Sequence, residues 1–303
     1  MLRRDFVKST AVAAGLCLPA WSTLAFGAEN KGRKLLYFDL STEWEHPPTV
    51  DEADGNSFAG KIVKKLGTSL GFQVDCTKNG AVFDGDLSQY AAFVFYTCGD
   101  LDLKVKDKIP VSQNGMKKLF EAIRGGTGFV GIHSATDTWQ CKGPVRENQS
   151  ESERTEYIKM VGGDFITHGK MQETTLTFVD PIQLPYLKSL GTKSVRAFDE
   201  WYCMKNFNKD MHVLIVQETD GMDKQGRNTC YDRPRYPSTW VRMEGNGRVA
   251  YTSLGHDNER WQTPLLQGVV TDLISFATGG LELDTTPNLD KVCPGASIFP
   301  NPK

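Results

Sequence analysis

Residues 125–135 read GGTGFVGIHSA, and this stretch decides the fold. Gly125-Gly126 stops whatever precedes it, and Gly128–Ile132 (GFVGI) is then apolar without interruption. A short continuous apolar run suits a strand buried on both faces, as in a parallel sheet covered by helices. The run ends at His133, so a polar ring sits where the strand gives way to a tight turn. In open α/β sheets the carboxyl ends of the strands form the ligand crevice. The arrangement follows the logic of a nucleophile elbow, but with histidine where Ser or Cys would stand. An amidotransferase nucleophile is therefore missing, and an ordinary hydrolase is disfavoured for the same reason.

Working outward, strand-like and helix-like segments alternate. Arg33–Leu40 reads as a strand. Phe58, Ile62, Val63, Leu66 and Leu70 recur at helical spacing, and Gly71 ends that helix. Phe72–Cys76 and Ala91–Cys98 read as strands, and Met116–Ile123 as an amphipathic helix. This rhythm predicts a doubly wound, mostly parallel sheet with helices on both faces. The second half is richer in strands, at 174–179, 194–199, 212–218, 238–243 and 248–253, with Asn246-Gly247 predicting a hairpin turn. A last helix spans about 264–278. One domain over residues 29–303 is the simplest division, with a core at 33–280 and a Pro-rich irregular tail at 281–303.

Composition narrows the function classes. The 303 residues are 39% hydrophobic and 24% charged, with a net charge of −2. These values exclude a disordered chain and a multi-span membrane protein. No basic block is present, so nucleic acid is not an expected partner. Nor is a nucleotide cofactor expected. Residues 2–8 (LRRDFVK) resemble a twin-arginine export signal, and a mildly apolar segment follows, with small residues for cleavage after Gly27 or Ala28. The expected mature chain is exported, engages the twin-arginine translocase in transit and has no stable membrane insertion. Cys76 and Cys98 read as buried thiols, and a disulfide among Cys141, Cys230 and Cys293 is left open.

The histidines are placed unevenly. His46 follows the first strand, His133 ends the GFVGI strand, His168 lies on a loop after Gly162-Gly163, and His256 follows the strand at 248–253. Asp257 is placed to orient His256. Glu200 closes another strand-like run and is a candidate base or ligand. His212 begins a strand and reads as structural. Imidazoles and a carboxylate gathered at one sheet edge suit a metal site or acid–base chemistry.

Four ordered blocks, GGTGFVGIHSA (125–135), GGDFITHG (162–169), DEWY (199–202) and PSTWVRMEGNGRVAYTSLGHD (237–257), resemble the ThuA-like, trehalose-utilisation family. The resemblance covers roughly residues 33–280. At the family's first motif, Trp44-Glu45-His46 departs from the usual Phe-Arg-His context. The resemblance implies a class I glutamine-amidotransferase-like (flavodoxin-like) α/β fold without the amidotransferase triad. It also implies a small-molecule carbohydrate substrate, particularly an oxidised 3-keto-disaccharide or glycoside. His133, His168, Glu200 and His256 match family motif residues as catalytic candidates, with His46, Trp201 and Asp257 as substrate-binding candidates.

A ketone at C3 acidifies the C2 proton, so a base can form an enediolate that isomerises or eliminates. The expected enzyme is thus a 3-keto-glycoside isomerase, lyase or hydrolase-like catalyst with Glu200 as base. His133, His168 and His256 serve either as ligands of a divalent metal such as zinc or as acid catalysts. The competing reading is a non-catalytic periplasmic sugar-binding protein that uses Trp44, Trp139, Trp201, Trp240 and Trp261 as stacking platforms. The oligomeric state is not legible.

The export reading makes a direct prediction. Replacing Arg3 and Arg4 with lysine leaves an uncleaved precursor in the cytoplasm, detected by fractionation and blotting. Normal export of that variant contradicts the twin-arginine assignment.

Overall fold

The computed structural model describes residues 32–299, so the export signal read in residues 1–28 lies outside it. The expected first-half elements are present: β1 (Lys34–Phe38), α1 (Phe58–Ser69), β2 (Gln73–Thr77), β3 (Tyr90–Phe95), α2 (Gln113–Gly125) and β4 (Gly128–Ile132). Ser57 caps α1 by accepting from the Gly60 N–H, and Ser112 caps α2 in the same way through Gly115. The run Gly67–Gly71 (GTSLG) matches G-x-S-x-G in letters, but it closes α1. The Ser69 hydroxyl there donates to the Leu66 carbonyl, so the run forms no elbow.

The chain continues through α3 (Glu156–Val161), β5 (Asp164–His168), β6 (Gln172–Phe178), α4 (Pro185–Ser189), β7 (Ser194–Asp199), β8 (Tyr202–Lys205), β9 (His212–Gln217), β10 (Tyr236–Glu244), β11 (Gly247–Thr252), α5 (Asn258–Trp261) and α6 (Pro264–Ala277). Nine strands join in the order β2-β1-β3-β4-β11-β10-β9-β6-β7, and β5 pairs with β8 apart from them. The half from β2 to β11 is parallel and the half from β11 to β7 is antiparallel, so the sheet is mixed.

The hairpin after β10 explains the change of direction. Its two loop residues are Gly245 and Asn246, one position earlier than the sequence suggests, with Glu244 opposite Gly247. Gly245 has φ 59°, the positive angle that glycine supplies at the first position of a type II′ turn. This turn sends β11 back beside β4, and β10 then recruits β9, β6 and β7.

Helices cover both faces of the parallel half. A Cβ on Gly128 would meet the Ala277 carbonyl of α6, whereas the adjacent Phe129 packs edge-on against Tyr157 of α3. Successive residues of a strand point to opposite faces. Every residue of β3 and β4 is buried, as their apolar runs require. No helix among the described residues is long and apolar enough to cross a membrane.

Asp272 of α6 is buried and accepts the Tyr186 N–H at the start of α4 (2.8 Å). Burial pushes its carboxyl up from 3.8 to about 7, outweighing that hydrogen bond. The protonated group contributes stability fully below pH 4, and that contribution is lost as pH rises through about 7. Thermal melts of Asp272→Asn are therefore expected to gain on the wild type between pH 5 and 8, by on the order of 2 kcal/mol. Parallel pH profiles would contradict this.

Candidate functional site

The site is built where β4 and β11 end side by side. His133 leaves β4 with φ 45°, a left-handed conformation that costs a Cβ-bearing residue about 1 kcal/mol or more, and opens a 3-10 turn over His133–Asp137. The elbow read from the sequence is thus a backbone feature. Two neighbours over-determine it: the His133 Nδ1 lies 2.7 Å from the Ser253 carbonyl, and the His133 carbonyl accepts from the Tyr251 hydroxyl at 2.7 Å. A carbonyl only accepts, so Nδ1 carries a proton and Nε2 is the nitrogen that faces inward.

Asp199, at the end of β7, ties the remaining pieces together. Its carboxyl accepts the N–H of Glu200 (2.9 Å), of Gly255 (2.8 Å) and of His256 (3.2 Å). One buried side chain thereby joins the antiparallel end of the sheet to the loop after β11. Burial pushes this carboxyl up, while His133 and the three amides pull it down. Gly255 has φ 113° in that loop, a conformation open to glycine.

Glu200 lies at the centre. Its Oε2 is 3.1 Å from His256 Nδ1 and 3.8 Å from His133 Nε2, and its Oε1 is 2.9 Å from His168 Nδ1. His256 Nδ1 and His133 Nε2 are 3.4 Å apart. His46 packs edge-on against both rings, and its Nε2 lies 3.2 Å from the Tyr202 hydroxyl. His46, His133, Glu200 and His256 each offer one ligand atom, all within 4.8 Å of one another. Burial opposes ionisation of Glu200, but its imidazole partners outweigh this and hold the carboxyl well below the usual range. Burial, reinforced by His133 and His256, lowers His46 to about 2, so that ring is neutral. Burial also disfavours the charged form of His168, but the hydrogen bond to Glu200 wins and raises it.

The four-residue group fits a divalent metal ion. His46 Nδ1 is buried with no hydrogen-bond partner, an orphan that an ion would explain. His133 donates its other ring N–H to a carbonyl, the outer contact that fixes a ligating imidazole. Three imidazole nitrogens and one carboxylate suit zinc and related transition metals.

The structure brings His46, His133, His168, Glu200 and His256 together, and it corrects several roles. His168 is not in the metal-type group. It faces the other carboxylate oxygen, and its side chain is 30% exposed. It ends β5 and does not lie on a free loop. His46 joins the inner group and is not a rim contact. Trp201 is fully buried and donates to the Gln172 carbonyl, so it cannot meet a substrate. Trp139, Trp240 and Trp261 are buried as well, which leaves only Trp44 of the five platforms in the binding-protein reading. Asp257 caps α5 by accepting from the Arg260 N–H at 2.8 Å. His212 is structural, between the Thr286 carbonyl and Gln183. All six described cysteines are free thiols. Asp199 stood in a recognised motif, but its role needed the fold, because its partners are 56 and 57 residues away.

The sequence matches the ThuA family, described as trehalose utilisation, over residues 50–277. No curated protein matches it significantly. Among solved structures, a ThuA-like protein from Bacteroides uniformis is 19% identical with a TM-score of 0.57, over 82% of this chain and 92% of that one. A ThuA-like protein from Parabacteroides merdae is 20% identical with a TM-score of 0.57, over 87% of this chain and 97% of that one. At these identities the likeness is one of fold.

Asp199→Ala leaves three amide donors without their acceptor and is expected to cost about 2–4 kcal/mol in thermal or urea unfolding. Unchanged stability would show that the latch is not needed.

Proposed function

Because the chain belongs to the ThuA family, described as trehalose utilisation, we propose that it is an exported enzyme acting on 3-keto-disaccharides or glycosides by removing the proton next to the ketone. The observation that carries this reading is the division of Glu200 between two partners. One oxygen faces the inner imidazoles, and the other holds His168 at the more open side.

His46, His133, Glu200 and His256 would hold a divalent ion, which when bound polarises a carbonyl oxygen and stabilises charge developing on it. The proton is handled by His168. Its Nδ1 lies 2.9 Å from both Glu200 Oε1 and the Gly169 carbonyl, so the ring proton sits on Nδ1 and Nε2 is free to accept. As Nε2 takes the C2 proton, the C–H electron pair moves towards the ketone oxygen. Glu200 fixes the tautomer and stabilises the imidazolium that forms, as a carboxylate does in a catalytic triad. Returning the proton elsewhere isomerises the sugar, and loss of the C1 substituent eliminates it. Glu200, read from the sequence as the base, is a poor one here because its imidazole partners hold it ionised. Relative to the sequence reading, His46 and Glu200 replace His168 in the proposed metal group, and His168 replaces Glu200 as the base.

The test separates the two roles. His168→Gln is expected to lower turnover of a 3-keto-disaccharide by about 10²–10⁴-fold while elemental analysis still finds the metal. Glu200→Gln is expected to lose turnover and metal together. Full turnover by His168→Gln would remove it as the base, and absence of divalent metal from active wild-type protein would remove the ion.

A further inference from the structure

The described tryptophans divide sharply. Trp139, Trp201, Trp240 and Trp261 are 0–7% exposed. Each gives its indole N–H to a partner: Asp102, and the carbonyls of Gln172, Val161 and Gly255. Trp44 is 66% exposed, and among the described residues no hydrogen bond or ring contact engages its indole. A large aromatic ring left in water contributes little to folding and is costly for solubility, so its position calls for an explanation.

That position is close along the chain to the histidine cluster. Trp44 is two residues from the buried His46, so the two Cα atoms are within about 7 Å. The segment is pinned on both sides of the indole. Thr42 donates from its N–H to the Cys98 carbonyl (2.8 Å) and from its hydroxyl to the Asp100 carbonyl (3.1 Å). Glu45 is held by Lys78 at 3.0 Å, and Lys78 also reaches Asp51 at 3.0 Å. The thiol of Cys98, whose carbonyl Thr42 holds, donates to Asp137 Oδ2 at 3.3 Å. Asp137 ends the turn that His133 begins. The loop that carries Trp44 is thus tied to the turn that carries His133.

We propose that Trp44 is a stacking platform for a pyranose ring, holding the apolar C–H face of the sugar beside the histidine cluster. This inference rests on the carbohydrate reading above and adds the residue that selects a ring. The indole has two attributes for this role: a flat apolar face, and a free N–H able to donate to a ring hydroxyl. Its backbone is already ordered, so binding immobilises only two side-chain torsions. An open-chain polyol offers no comparable face and is not retained.

The experiment uses the mature full chain, with α,α-trehalose and its 3-keto derivative as probes and sorbitol as the open-chain control. Calorimetry on wild type is expected to show binding of at least one disaccharide and none of sorbitol, with a change in tryptophan fluorescence. In Trp44→Ala the dissociation constant rises roughly tenfold and the fluorescence change is lost, while the melting temperature and metal content stay at wild-type values. Trp44→Phe, which keeps a flat ring, recovers most of the affinity. Wild-type affinity in a folded Trp44→Ala protein overturns the platform and leaves the carbohydrate reading standing. Failure of wild type to bind either disaccharide overturns both.

Discussion

The site depends on one constraint, the acceptance of three backbone N–H groups by the Asp199 carboxyl. Glu200 is the next residue in the chain, and Gly255 and His256 come from the loop after β11, the central strand of the sheet. A single short side chain has few acceptor positions, so meeting three donors leaves little freedom in where Glu200 and His256 stand. The Tyr96 hydroxyl and the Trp261 indole N–H converge on the Gly255 carbonyl (2.8 and 3.0 Å), closing the other side of the same loop. The rigid sheet reaches the catalytic candidates through these bonds, since neither Glu200 nor His256 lies inside a strand.

A second constraint acts on His133. Its left-handed backbone is tolerable only because the Ser253 carbonyl and the Tyr251 hydroxyl hold the ring and the peptide from the neighbouring strand. The pairing of β4 with β11 thus sets both the orientation of the imidazole and its tautomer. The mixed sheet matters for the same reason. The parallel half provides the crevice at its carboxyl edge, and the antiparallel half swings β7 round so that Glu200 faces it. Burying an ionised glutamate is costly unless it is paired, and the convergence of imidazoles on Glu200 offsets that cost. The same convergence lowers its basicity, which is why the more open His168 suits proton transfer.

Much of the framework was legible in the sequence. The runs at β3 and β4 could be read as buried parallel strands because sheets covered on both faces leave no polar alternation. Gly71 marked the end of α1, and the carboxyl-end placement of His133 and His256 followed from strand direction. β5 escaped because its few residues carry mixed polarity between a glycine pair and a glycine, which reads as loop. Trp201 was misplaced because a motif aromatic next to a functional carboxylate looks the same in sequence whether it faces solvent or the core. The antiparallel joining of β6, β7, β9 and β10 to the parallel strands was not legible, since alternating strands do not announce their partners.

Which side chains are available, and on which edge most of them lie, follows from the order of residues, because periodicity and strand direction are local properties of the chain. How those side chains divide follows from packing alone. His46 and His133 are separated by more than eighty residues, and Glu200 is a further sixty-seven along. Whether an imidazole meets one carboxylate oxygen or the other depends on tenths of an ångström set by sheet register and by the Asp199 bonds. That geometry sends His46 inward and leaves His168 at the open side, because distances between remote residues are fixed by packing and not by spacing in the chain.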